Sequence, residues 1–195
     1  MASYAGGSWL HPQAPSHLFW ENFWCDLLRE PAHNGLPNRR SVALASLGFV
    51  AIAAALGGFW LEVSRLLPAR RARFVRVAGV VSAIATVVVA LVPSDRFPAI
   101  HPPAVLTAGL LGFTCGCLCS AYALTHARRM PVFAVSSLVL IAAAGTNLAV
   151  YVQVAYFTAT DTIVLPVAQK VATLALLVWL LAGLAAARQK TSGHW

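Results

Sequence analysis

Two side chains in a stiff loop carry most of the chemistry this sequence offers. Asp95 and His101 stand in Val92-Pro93-Ser94-Asp95-Arg96-Phe97-Pro98-Ala99-Ile100-His101-Pro102-Pro103, where four prolines restrict the backbone. A carboxylate that orients an imidazole fixes its tautomer and raises its basicity, the starting point for acid–base chemistry or metal ligation. The competing structural reading has Asp95 capping a turn or pairing with Arg96, and His101 as an interfacial residue before a helix. Asp26 and His33 lie upstream, followed by Asn34 and Asn38 in the turn-forming run Ala32-His33-Asn34-Gly35-Leu36-Pro37-Asn38. Asp161 is a further carboxylate in a later connection. These six residues, Asp26, Asp95, His101, Asn34, Asn38 and Asp161, are the candidate binding site. No metal set and no cofactor is expected from them.

Other signatures are missing: the sequence has no phosphate-cradling Gly loop, no Gly-x-Ser-x-Gly, no His-Glu-x-x-His and no Cys-x-x-Cys-His. Cys115, Cys117 and Cys119 alternate on a helix, so the middle thiol points away from the other two and the three cannot hold one ion. With Gly112, Gly116 and Ser120 they read as a small-residue packing stripe, and Cys25 is left without a disulfide partner.

The elements that must position these groups follow from composition. Of 195 residues, 59% are hydrophobic and only 10% charged, against about 25% charged in a soluble domain. That excludes a disordered chain, a disulfide scaffold and an ordinary cytosolic enzyme. A membrane-crossing helix needs about 20 apolar residues. Five stretches meet this, at residues 41–61, 74–92, 104–125, 131–157 and 162–187. They are Ala- and Leu-rich without alternation, so barrel strands are excluded and the expected fold is an all-α bundle of five transmembrane helices. No acidic or basic ladder runs through the spans, which disfavours ion transport. Lys170 is one charge inside the fifth span. It either snorkels to the headgroups or faces inward toward Asp161, Asp95 or Asp26.

The net charge of +8 sorts by loop. Arg65, Arg70, Arg71, Arg73, Arg76, Arg128, Arg129, Arg188 and Lys190 fall on one side, and Arg29, Arg39, Arg40 and Arg96 on the other. The positive-inside rule then puts the N-terminus outside and the C-terminal tail, residues 188–195, in the cytoplasm. The basic residues thus set topology and meet anionic lipid, and no nucleic-acid partner is expected. The opening residues show no cleavable signal peptide, and twelve Arg against two Lys fits a bacterial chain placed in the inner membrane.

Residues 1–40 form an outer-face arm. Within it, residues 16–30 place Trp20, Phe23, Trp24, Leu27 and Leu28 on one half of a helical wheel, opposite Glu21, Asn22, Cys25, Asp26, Arg29 and Glu30. That pattern predicts an amphipathic helix at the membrane interface, either a plain anchor or a lid over the bundle.

Asn22-Phe23-Trp24-Cys25-Asp26-Leu27, then Asn34-Gly35 and Asn38, then Val92-Pro93-Ser94-Asp95 with His101, resembles a group of small bacterial multi-spanning proteins distantly similar to the eukaryotic DRAM-like membrane family. The resemblance implies matching positions at Asp26, Asp95 and His101, in an outer-face Ser-Asp-Leu-type motif and a later Pro-x-Asp followed by His. It brings no settled activity. The chain lacks that family's full hydrophobic first span.

The leading expectation is a non-catalytic inner-membrane protein whose outer-face polar pocket binds a lipid headgroup, another amphiphile or a partner subunit. Membrane lipids and protein subunits are the expected partners. The alternatives are a membrane-embedded metal-dependent hydrolase drawing on Asp26, His33, Asp95 and His101, and an accessory subunit of a larger complex.

Overall fold

Helices occupy all five apolar stretches: α1 spans Arg39–Val63, α2 Ala69–Leu91, α3 His101–Thr125, α4 Pro131–Tyr156 and α5 Val164–Thr191. This computed structural model describes residues 2–157 and 163–192. Each helix is long and apolar enough to cross a membrane, so the chain is an all-α, multi-spanning membrane protein. Prolines sit where helices tolerate them, Pro102 and Pro103 in the first turn of α3 and Pro131 at the start of α4, where the missing N–H costs no hydrogen bond.

Each helix packs on the next, and α5 returns to α1. Short connections make neighbours antiparallel, so the starts of α1, α3 and α5 and the ends of α2 and α4 share one end. This is the arm end, because residues 2–38 fold onto it. At the opposite, distal end, Lys190 donates from Nζ to the carbonyls of Arg65 and Leu66, each at 3.1 Å, and ties α5 to the 3₁₀ turn Ser64–Leu66 that follows α1.

The core is aromatic toward the distal end. Trp179 is fully buried, with Phe59, Phe133 and Trp60 ring centroids at 4.9, 5.4 and 5.9 Å. Its indole N–H donates to Ser137 Oγ at 2.9 Å, which removes the penalty of a buried donor. Trp60 lies flat against Gly79: a Cβ there would stand 2.3 Å from Trp60 Cγ. Apolar groups gain nothing by leaving lipid for other apolar groups, so such close fits supply the packing energy of the bundle. Ser82 Oγ on α2 donates to Ala108 O on α3 at 2.8 Å, beside Gly112, whose absent side chain allows the approach. Cys115 and Cys119 are buried within this packing, and all four cysteines are free thiols.

The helices run from one to five residues off the hydropathy spans at most of their ends, the largest shift being at the start of α2. α2 begins at Ala69 rather than 74 and takes Arg70, Arg71 and Arg73 into its first turns, because helical hydrogen bonding continues past the apolar slab. The larger difference is in the arm. Residues 16–30 do not form the expected amphipathic helix; only Trp24–Leu28 is helical, as a short 3₁₀ segment preceded by turns.

Candidate functional site

The arm folds around polar residues as well as apolar ones. Asn22 is fully buried and Asp26 nearly so, beside the buried Leu28, while Trp20 is 54% exposed, so the two halves of the helical wheel are not sorted by burial. Asn22 Nδ2 donates to Gly7 O at 2.8 Å and to Asp26 Oδ2 at 3.1 Å, and its Oδ1 accepts from Leu18 N at 2.9 Å. Asp26 Oδ2 also accepts from Phe23 N at 2.8 Å. These bonds draw the chain into turns, and Asn and Asp side chains that bond nearby backbone compete with a helix in this way. The fold also needs Gly7, at φ +83°, where a Cβ would be 2.6 Å from Asn34 N.

Asn34 and Asn38 are stitching residues of the same knot. Asn34 Nδ2 donates to Ala5 O at 2.7 Å, and Asn34 Oδ1 accepts from Leu36 N at 3.1 Å. Asn38 Nδ2 donates to Arg29 O at 2.9 Å, its Oδ1 accepts from Ala5 N at 3.2 Å, and its own N–H donates to Glu30 Oε2 at 2.9 Å. Tyr4, buried against them, accepts from His33 N at 3.3 Å, and burial holds its hydroxyl up at about 12.

The arm places Asp26 beside His33, Oδ1 to Nε2 at 3.1 Å, with both side chains buried. The two are in contact without the alignment of a hydrogen bond. Asp95 and His101 have separate partners. Asp95 Oδ2 accepts from Glu30 N at 3.1 Å, fastening the arm to the connection between α2 and α3. His101 Nδ1 bonds Val92 O at 2.8 Å, bracing that connection across its own loop. Among the described residues no three His, Cys, Asp or Glu side chains gather as a metal-ligand set. Asp161 and His194 lie outside the described residues.

Three contacts seat the arm on α5. Trp24 N donates to Gln169 Oε1 at 3.0 Å, Trp24 Nε1 donates to Thr173 Oγ1 at 3.2 Å, and Lys170 Nζ donates to Asn22 O. The Lys170 ammonium, 5% exposed, lies 5.0 Å from the Trp24 ring centroid and 5.4 Å from that of Phe19. The aromatic faces and the carbonyl supply the compensation that a desolvated cation requires. Lys170 therefore faces inward, to the arm. Ser41 Oγ adds a bond to Leu27 O at 3.1 Å. Nearby, burial pushes the Cys25 thiol up to about 12, with the Asp26 charge adding to the effect. Burial and then the Lys170 charge hold His17 below its ordinary 6.5. Bonds from His11 and Ser8 hold Glu21 below the usual carboxylate value.

Beneath this seat the bundle encloses a cavity of about 290 Å³ walled by all five helices. Leu56 and Trp60 of α1, Ser82 and Thr86 of α2, residues from Ala108 to Cys117 of α3, from Leu140 to Leu148 of α4, and from Gln169 to Trp179 of α5 form its wall. The ten residues between Gln169 and Trp179 correspond to about 15 Å along the axis, half of the hydrocarbon core. The wall runs from the fully buried Trp179 to the exposed Gly109, so the cavity reaches the bundle surface on the α3 side. Its side-chain amides and Thr hydroxyls lie toward the arm end. Ser82, Thr86 and Thr173 spend their hydroxyl protons on the carbonyls of Ala108, Ser82 and Gln169. Asn147 makes no such bond: its buried Oδ1 has no partner, and at the distal end of the wall the buried Trp60 Nε1 has none either. Among the described residues no charged side chain lines the cavity.

None of the five described candidate residues, Asp26, Asn34, Asn38, Asp95 and His101, lines this space. Asn147, Gln169 and Thr173, which do line it, are not among those candidates. The available signal was polar residues on facing spans at one depth, Asn147 with Gln169. Compared with known proteins, the chain matches no family model, no curated protein and no solved structure.

Proposed function

We propose that this is a non-catalytic membrane protein that binds a single-chain amphiphile inside its helix bundle, beneath the folded N-terminal arm. The cavity carries this reading. At about 30 Å³ per water-sized group, 290 Å³ takes roughly ten chain atoms, near the lower end of small-molecule pockets. Its length suits an extended alkyl chain, and its mouth near Gly109 opens where such a chain already resides. The arm supports the reading, because Trp24 is bonded to two wall residues, Gln169 and Thr173, and so covers the polar end. Asp26, Asn34, Asn38, Asp95 and His101 then act indirectly, by holding the arm in that position. The excess of Lys and Arg at the distal end supports an arm on the outer side of a bacterial inner membrane.

A hydrolase finds less support, since the Asp26 and His33 pair lacks a third described ligand and sits outside the cavity.

Tryptophan fluorescence tests the binding, because Trp60 and Trp179 both line the cavity. 10-Bromo-1-decanol, a heavy-atom quencher, should quench the detergent-solubilised protein saturably, above the linear background from the micelle. Ala144→Phe, which fills the cavity from α4, should leave only the background. Linear quenching alone in the folded wild-type protein would overturn the proposal.

A further inference from the structure

We infer that the amphiphile taken by this cavity carries an uncharged head that both donates and accepts hydrogen bonds, such as a primary alcohol, and that Asn147 is the residue that selects it. This rests on the binding role proposed above and narrows it to a chemical class.

Among the described residues the wall of the cavity contains no Lys, Arg, His, Asp or Glu, so an ionised head drawn inside would meet no opposite charge from them. Burying an unpaired ion in an apolar surround is far more costly than burying a hydroxyl. The nearest cation, Lys170, is turned away from the wall. It donates to Asn22 O and Pro166 O and stands over the rings of Trp24 and Phe19.

The neutral polar groups separate into satisfied and unsatisfied ones. The hydroxyls of Ser82, Thr86 and Thr173 each donate to a backbone carbonyl, and Gln169 Oε1 accepts from Trp24 N. Two groups are different: Asn147 Oδ1 is a buried acceptor without a partner, and Trp60 Nε1, deeper and toward the distal end, is a buried donor without one, so Asn147 is the wall group that calls for a donating head. A primary amide can accept from and donate to the same hydroxyl group. A buried carbonyl left unpaired is costly, so a ligand that donates to it recovers that cost. An ether or ester head, which only accepts, leaves the Asn147 oxygen unpaired.

The test is competition against 10-bromo-1-decanol quenching by ten-carbon compounds that differ only in the head. 1-Decanol should displace the probe. Decyl methyl ether should be about tenfold weaker, since it lacks the proton for Asn147 Oδ1, and decyl sulfate and decyltrimethylammonium weaker still. Asn147→Leu should reduce the preference for decanol over the ether to within about twofold while the probe still binds. Equal competition by either charged compound, or an unchanged decanol-to-ether ratio in Asn147→Leu, would overturn the inference and leave the binding role standing. Absence of saturable quenching by the probe itself would instead overturn the binding role. The head series is run on the wild-type chain, so it decides the question even if Asn147→Leu fails to fold.

Discussion

Trp24 is the latch between the arm and the bundle, and its removal has a calculable effect. Trp24→Ala deletes the indole bond to Thr173 Oγ1 and the aromatic face over the Lys170 ammonium, and keeps the backbone bond to Gln169. A partly buried hydrogen bond contributes about 1 kcal/mol. A desolvated cation–π contact contributes about 1 to 2 kcal/mol, and Lys170 is 5% exposed. Together these make local opening of residues 23–28 easier by about 2.5 kcal/mol, roughly a 70-fold rise in the open fraction. Trp24→Phe keeps a ring over Lys170 and loses the indole donor, so the shift is about 1 kcal/mol, roughly fivefold. Cys25 reports the opening, because while the arm is seated its half-buried thiol is held above its ordinary value and stays protonated. The rate of its alkylation at pH 8, read by peptide mass spectrometry, should rise in the order wild type, Trp24→Phe, Trp24→Ala. If Trp24→Ala leaves the rate within twofold of wild type, the arm is not held to α5 through this residue.

Acid should loosen the arm in two stages. His17 has a folded-state value below its ordinary 6.5, so the contribution of its neutral form is complete above that value and is lost as pH falls through it. Glu21 is depressed below 4.5, so its contribution persists above that value and is lost at lower pH. Cys25 alkylation, corrected for thiolate fraction, should therefore rise first below about 6.5, and His17→Phe should abolish that first rise. At Gly79 an added methyl would stand 2.3 Å from Trp60 Cγ, so Gly79→Ala should destabilise the bundle by about 1 to 3 kcal/mol, measured as a fall in Tm. Gly109→Ala, whose methyl meets Leu148 at an ordinary 3.8 Å, should leave Tm unchanged. Leu36→Cys, at an exposed arm position, should react with a membrane-impermeant maleimide on intact cells; labelling only after lysis would reverse the assigned orientation.

The helices were legible because hydropathy and helix length respond to the same 30 Å of hydrocarbon. Runs such as residues 131–157 admit little else than a helix, and α4 occupies Pro131–Tyr156. The arm was not legible because its pairing is non-local. Asn22 and Asp26 look like the polar face of a helix until Gly7, Ala5 and His33 are brought against the same knot. A wheel sorts residues by polarity and assumes that polar means solvated, and in the arm hydrogen bonding reverses that assumption. The candidate residues divide for the same reason. Asp26, Asn34, Asn38 and Asp95 stood out as functional types, yet each bonds a backbone group of the arm, although Asp95 keeps its Oδ1 buried without a partner. The cavity left no mark in composition, since its Ala, Gly and Leu lining matches the residues that face lipid. Only Asn147 and Gln169 carried a trace of it.

Native mass spectrometry with 10-bromo-1-decanol most directly tests whether the bundle is a receptor for a single-chain amphiphile. The bromine isotope pattern identifies the ligand on the intact chain. The account predicts one bound molecule per wild-type chain at saturation and none on Ala144→Phe, whose fold is checked by Tm. Equal adducts on both chains, or none on the folded wild type, would contradict it.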